Sequence, residues 1–300
     1  MRPADLALAL FVVLIWGVNF VVIKLGVAEV PPLLLGALRF IAAALPAVFL
    51  FRRPRLPLWV YLAYGLTISV GQFALLFTAI HVGMPSGLAS LVLQSQAFFT
   101  MVFAAWWLGE AWRPTQLLGL ALAGAGLVLI GSAHGLSMPL AGFLLTVAAA
   151  SMWAAGNIVT RAVSKLGQGG EAVDMQAFVV WACLVPPVPF LLLSWWLEGG
   201  KAIAAALSGF GLQSAFAVGY LAWMATLVGY GVWSRLLSRY PANQVAPFSL
   251  LVPLVGLSSG WLVFGERLQG VHFAGGALLM AGLALNLFGT RVIGWMRRTA

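Results

Sequence analysis

The chain is 300 residues long, 62% hydrophobic and only 8% charged, with a mean hydropathy of +1.02. A water-facing surface is built from about 25% charged residues, so a soluble globular domain is excluded and the composition requires a polytopic membrane protein in a lipid bilayer. The net charge of +9 does not indicate nucleic acid, because the basic residues form no stripe and no aromatic–basic interleaving and fall instead between apolar runs.

Apolar runs of about 20 residues, each able to cross a hydrocarbon core of about 30 Å, predict an all-α protein. Ten transmembrane helices are expected at 5–26, 32–51, 58–80, 85–108, 114–132, 139–161, 175–197, 212–237, 241–264 and 269–290. Arg2 ahead of the apolar stretch from Leu6 meets part of a signal-peptide pattern. No cleavage site follows, however, and Trp16, Asn19 and Lys24 interrupt the run, so it is expected to be a retained first span. Pro32, Pro57, Pro85, Pro114, Pro139 and Pro241 mark helix entries, where a missing N–H costs least. The longest connection, 198–211, leaves no room for a soluble catalytic domain, and the single cysteine, Cys183, excludes an intrachain disulfide.

With the N-terminus inside, the cytoplasmic segments collect Arg2, Arg52, Arg53, Arg55, Arg113, Arg161, Lys165, Arg235, Arg239, Arg291, Arg297 and Arg298. Only Lys24, Arg39, Lys201 and Arg267 remain elsewhere. Such a bias predicts both termini in the cytoplasm.

The chain also repeats. "LGEAWRPTQLLGLALAGAGLVL" from Leu108 aligns without gaps with "FGERLQGVHFAGGALLMAGLAL" from Phe264, pairing Gly109 with Gly265, Glu110 with Glu266, Gly119 with Gly275 and Gly126 with Gly282. The same shift pairs Pro85 with Pro241 and Tyr64 with Tyr220. Two halves, 1–134 and 135–300, of five helices each must insert in opposite senses because five is odd. Inverted five-helix repeats mark transporters whose solute site lies between the halves near the bilayer midplane.

Polar residues inside the spans are the candidate site. An unpaired amide in an apolar medium costs roughly 2–7 kcal/mol, so each must find a partner or face a cavity. Trp16 and Asn19 in the first span match Trp153 and Asn157 in the sixth, giving each half an amide one turn from an indole. Gln72 lies one turn after Ser69, and Thr226 and Tyr230 share a helix face. Gln94 shares its face with Ser90 and Phe98, a combination that suits a small zwitterion. Gln96, about 200° further around an α-helix, is expected to bond to a neighbouring helix instead. Lys24 and Arg39 are candidate partners for a substrate carboxylate; alternatively Lys24 snorkels outward and Arg39 pairs with Glu29 or backbone carbonyls. Helix packing competes with substrate binding at every one of these positions.

Glu110 with Arg113, and Glu266 with Arg267, are expected as salt-bridged hinge positions at span ends. His81, His134 and His272 fall near loops and form no relay through the core. No metal-ligand cluster or cofactor motif is visible, and no Walker-type GxxxxGK[ST] would let the chain use ATP or recruit an ATPase role.

"WGVNFVVIKLG" from Trp16, the Arg39–Phe40 pair, and the Gly-Glu pairs closing spans four and nine resemble the EamA-type branch of the drug/metabolite transporter superfamily over all ten spans. Within that branch, "YGLTISVGQFALLFTAIHVGMPSGLASLVLQSQAFFT" (64–100) and "VAPFSLLVPLVGL" (245–257) resemble the bacterial O-acetylserine/cysteine exporters. The resemblance implies an inner-membrane secondary transporter exporting small neutral or zwitterionic metabolites, above all O-acetylserine and cysteine, by alternating access. Four-helix relatives use a first-span glutamate for proton antiport; here that span offers Asn19 and Lys24 instead, so that coupling does not carry over. Other amino acids, including aromatic ones, and drug-like solutes form the alternative substrate class. An intramembrane hydrolase built on "GMPSG" (83–87) is disfavoured, since no G-x-S-x-G, H-E-x-x-H or paired intramembrane aspartates occur. Monomer and homodimer are both compatible with the sequence.

Overall fold

The computed structural model describes residues 1–133, 138–164, 166, 173–240 and 242–299. His134, Lys165, Pro241 and the expected boundary between the halves lie outside the described residues, as do the side chains of Arg291, Arg297 and Arg298. Among the described residues there is no strand. Nine helices are long and apolar enough to span a membrane, and a tenth, Pro32–Ala47, is shorter. In chain order they are α1 (Pro3–Glu29), α2 (Pro32–Ala47), α3 (Leu58–His81), α4 (Ser86–Leu108), α5 (Pro114–Ser132), α6 (Leu140–Ser164), α7 (Met175–Glu198), α8 (Leu212–Leu236), α9 (Pro247–Phe264) and α10 (Gly270–Gly289).

α2 stops short of the expected 32–51. Its 16 residues reach about 24 Å. Pro46 inside the helix supplies no N–H, Leu50 N–H turns back to the Ala47 carbonyl, and Arg52, Arg53 and Pro54 follow in extended chain. The large apolar side chains left exposed, among them Leu14, Phe49, Trp106, Trp195, Leu212 and Leu262, form the surface that lipid covers. In that medium backbone N–H and C=O groups must be satisfied within the protein, and helices do this locally.

The two halves meet as an antiparallel pair. Gly119 packs against the Gly282 backbone, and Gly126 against Gly275. These are the very glycines paired by the repeat, so each half presents to the other what it receives. That reciprocity is the geometry of a pseudo-two-fold axis relating inverted repeats. The contact requires glycine: a Cβ on Gly126 would lie 2.5 Å from the Gly275 carbonyl oxygen.

Departures from α-helix follow the repeat in four of the helices, while a further π turn at Ser194–Glu198 ends α7 and has no counterpart in α2. α3 and α8 each contain π-helical turns, at Gly65–Gly71 and Tyr220–Val228, while α4 and α9 each contain 3₁₀ turns, at Leu93–Ser95 and Ala246–Leu251. α4 and α9 both end on a left-handed glycine, Gly109 at φ 67° and Gly265 at φ 63°, a conformation open to glycine without strain. Each glycine swings the next residue, a glutamate, toward the other half.

Those glutamates form ion pairs that the sequence did not anticipate. Glu110 pairs with Arg161 on α6 at 2.9 Å, and both side chains are about half exposed. Glu266 pairs with Lys24 on α1 at 2.7 Å and is 9% exposed. Arg113 and Arg267, the expected partners, form neither pair; each glutamate reaches a basic residue of the other half instead. Lys24 therefore neither snorkels nor reaches a cavity. Glu266 also accepts hydrogen bonds from Ser86 N–H, Ser86 Oγ and Gly87 N–H at 2.8, 2.9 and 2.9 Å, capping α4 from across the molecule. Glu198 caps α2 in the same way, accepting from Leu33 and Leu34 N–H at 2.7 and 3.1 Å. At the opposite end of α1, buried Asp5 accepts from Tyr240 Oη at 2.8 Å, with Arg239 at 3.5 Å.

Burial alone would push the Glu266 carboxyl up, but the Lys24 ammonium, the Gly87 and Ser86 N–H groups and the Ser86 hydroxyl outweigh it and hold it below its usual value. Gly126→Val should cost about 1–3 kcal/mol of stability, read as a lower melting temperature in detergent. Gly124→Ala, where a Cβ meets nothing within 4 Å, should cost none. Stability contributed by a lowered carboxyl pKa is fully present above the unfolded value of about 4.3 and is lost as pH falls through the folded value. Glu266→Gln should therefore sit below wild type by a constant margin from about pH 8 to about pH 5, and the gap should narrow below about pH 4.3. A gap that changes between pH 5 and pH 8 would contradict the lowered pKa.

Candidate functional site

The interrupted helices α3, α4, α8 and α9 surround, together with α1, α2, α6 and the start of α7, a cavity of about 840 Å³. The interruptions shape it. In α8 the Gly229 N–H reaches back to the Met224 carbonyl, as a π turn requires, which leaves the Ala225 carbonyl to accept from Trp16 Nε1 at 3.1 Å. Trp16 is thereby fixed against Tyr230 and Trp233, with ring centroids 5.5 and 5.2 Å away, and forms an aromatic wall.

In α4 the 3₁₀ turn decides the fate of the two glutamines. An α-helix would set Gln94 and Gln96 about 160° apart, but a step of three residues per turn brings them to about 120°. Both side chains line the cavity, which corrects the expectation that only Gln94 would. Both also bond across helices. Gln94 Nε2 donates to the Ser249 carbonyl at 3.0 Å, and Asn157 Nδ2 donates to Gln96 Oε1 at 2.8 Å and to Thr100 Oγ1 at 3.1 Å. The expected interhelical bond of Gln96 is thus present.

Of the residues singled out in the sequence, Trp16, Asn19, Arg39, Gln72, Ser90, Gln94, Trp153, Asn157 and Tyr230 line this one cavity. Three do not. Phe98 is buried in the apolar core, Lys24 is held by Glu266, and Thr226 lies behind the wall, accepting from Arg39 Nη2 at 3.0 Å. Among the described residues Arg39 has no carboxylate partner: Glu29, one expected partner, accepts instead from Ser214 Oγ at 2.6 Å. The guanidinium stacks 3.8 Å over the Phe73 ring.

The cavity mouth has a polar rim of Thr160, Asp174, Gln176, Ser234 and Arg235, at the end of the molecule that carries Arg161 and Arg239. Asp174 is also the N-cap of α7, accepting from Gln176 and Ala177 N–H at 3.0 Å. Toward the other end the lining reaches Ser90 and Leu76. Beyond them α9 packs on α4 through Gly256 against Ser90 and Gly260 against Ser86, and the Lys24–Glu266 pair lies past that contact. Trp233, three residues after Tyr230, was within reach of the sequence as a same-face neighbour. Ser249 and Asp174 were not, because only the folded chain brings α9 and the start of α7 to the cavity. Among the described residues no three His, Cys, Asp or Glu side chains cluster as metal ligands.

A cavity of amides, indoles and one buried cation, between inverted repeats, suits non-covalent binding of a small polar solute. Known proteins agree on the class. The model of the EamA-like transporter family matches twice, over residues 5–132 and 140–288. A "probable amino-acid metabolite efflux pump" of Salmonella typhimurium is 51% identical over 302 residues, covering 100% of this chain and 99% of its own length. The protein of the same description in Escherichia coli is 48% identical over 97% of each chain. A solved crystal structure, 20% identical, superposes with a TM-score of 0.60 over 95% of this chain and shares its fold. The chain belongs to the EamA-like transporter family.

Proposed function

We propose that the protein is a bacterial inner-membrane exporter of amino-acid metabolites, with O-acetylserine and cysteine as its principal solutes. The observation that carries this is the cavity: amides from both halves, Asn19 and Asn157, face it beside the indoles of Trp16 and Trp153. The names of the relatives support the solute class, and the match of 64–100 to O-acetylserine/cysteine exporters supports the particular compounds. The aromatic wall and a volume well above that of cysteine favour larger or aromatic amino acids as the second reading.

The transport cycle follows from the repeat. With both termini cytoplasmic, the mouth at Thr160, Asp174 and Arg235 faces the cytoplasm, and the Lys24–Glu266 side faces the periplasm. Residues 1–134 and 135–300 then move as two halves about their glycine contacts. Solute enters from the cytoplasm; rocking closes the Arg161–Glu110 side and parts Lys24 from Glu266. The two ion pairs are repeat counterparts at opposite ends of the cavity, so what one conformation buries the other exposes.

Purified protein in liposomes should move labelled O-acetylserine or cysteine faster than empty vesicles; equal rates would refute the solute assignment. Gln94→Leu and Gln96→Leu should each lower that flux at least about tenfold, the loss of a buried polar contact of about 1.4 kcal/mol or more, with unchanged protein level. Full flux in either variant would remove that glutamine from the solute path.

A further inference from the structure

Arg39 is 2% exposed, the one buried basic side chain among the described Lys and Arg residues, and it forms no ion pair there. A buried guanidinium without a counter-charge is costly. Thr226 takes one hydrogen bond from Nη2 and the Phe73 face screens the charge, yet Nε and Nη1 have no hydrogen-bond partner among the described residues. Every described carboxylate is committed elsewhere: Asp5 to Tyr240, Glu29 to Ser214, Glu110 to Arg161, Asp174 and Glu198 to helix N-termini, and Glu266 to Lys24.

The complementary atoms sit in the same cavity. Asn19 and Gln72 are 8% and 3% exposed, both line it, and neither Asn19 Oδ1 nor Gln72 Oε1 has a donor among the described residues. Three buried polar side chains on three helices, each with unspent capacity and all lining one cavity, form a built site. It offers cationic N–H donors from Arg39 together with unpaired amide oxygens from Asn19 and Gln72. Such a pattern cannot be satisfied by a simple anion, which the carbonyls repel, nor by a simple amine, which Arg39 repels.

We propose that Arg39 anchors the carboxylate of an α-amino acid and that the amide oxygens of Asn19 and Gln72 receive its ammonium group. The site reads the zwitterionic head, and the aromatic wall of Trp16, Tyr230 and Trp233 receives the side chain. On this assignment, solutes with different side chains should share one carrier while free amines and free acids of similar size are refused. The assignment rests on the transport function proposed above and deepens it.

Three thiols test it on wild-type protein: cysteine, cysteamine, which lacks the carboxylate, and 3-mercaptopropionate, which lacks the ammonium. As competitors of labelled cysteine flux, each single-charge compound should be at least about tenfold weaker than unlabelled cysteine, the effect of one lost charge-assisted contact. Arg39→Gln should weaken cysteine to the level of cysteamine without weakening cysteamine itself. Gln72→Leu should bring cysteine toward 3-mercaptopropionate without weakening that acid itself. Cysteamine or 3-mercaptopropionate competing within about twofold of cysteine on wild type would overturn the proposal. So would an Arg39→Gln variant that weakens all three equally at unchanged melting temperature. If the variant does not fold, the wild-type ranking decides alone. If wild type moves no cysteine, the solute assignment fails separately, and thermal stabilisation by leucine against isoamylamine and isocaproate reads the head group. No preference for leucine there would overturn it.

Discussion

Within a hydrocarbon medium, polar groups must find their partners inside the protein, and this constraint organises the molecule. It makes the described chain helical, and it explains why carboxylates from one half cap helices elsewhere. Glu198 meets the first N–H groups of α2 and Glu266 those of α4, in each case just after a proline-led start that leaves those donors free. Against that background, the described residues with buried side-chain atoms left unpaired are few: Ser95 and Thr115 carry one hydroxyl each, while Arg39, Asn19 and Gln72 all line the cavity.

The second organising feature is the imperfect symmetry of the repeat. Glycine contacts, π turns, 3₁₀ turns and Gly-Glu corners recur in both halves at matched positions. The ion pairs recur too, but one is partly buried and tied into a helix cap while its counterpart is about half exposed. A surface pair of that kind contributes little stability, whereas the Glu266 carboxylate also satisfies the first N–H groups of α4 and so contributes more. Identical halves would have no reason to differ, so the difference marks the conformation: tightly packed at one end of the cavity and open at the other.

Much of this was legible in the sequence because the signals are long or regular. Span length and charge gave the ten helices, and the ungapped Gly-Glu-Gly match gave the inverted halves. The matched amide–indole pairs at Trp16–Asn19 and Trp153–Asn157 gave two corners of the cavity. What stayed hidden depends on local breaks or on contacts far apart in the chain. The 3₁₀ turn at Leu93–Ser95 moves Gln96 to the cavity, which no uniform helical wheel shows. Lys24 and Glu266 are separated by 242 positions, so sequence proximity pointed to the wrong partner. Thr226 and Phe98 carry polar or aromatic groups suited to a binding face, yet one supports Arg39 from behind and the other packs in the core.

The most direct measurement is the reach of water into the space between the halves. In a Cys183→Ser background, Asn19→Cys, Gln96→Cys and Asn157→Cys proteins would be exposed to a membrane-impermeant thiol reagent, in inside-out vesicles and in intact cells. A solute chamber at these three positions predicts labelling from the cytoplasmic side, slowed by excess transported amino acid. Absence of labelling from both sides at all three, in protein that is correctly folded and inserted, would mean that no such chamber exists.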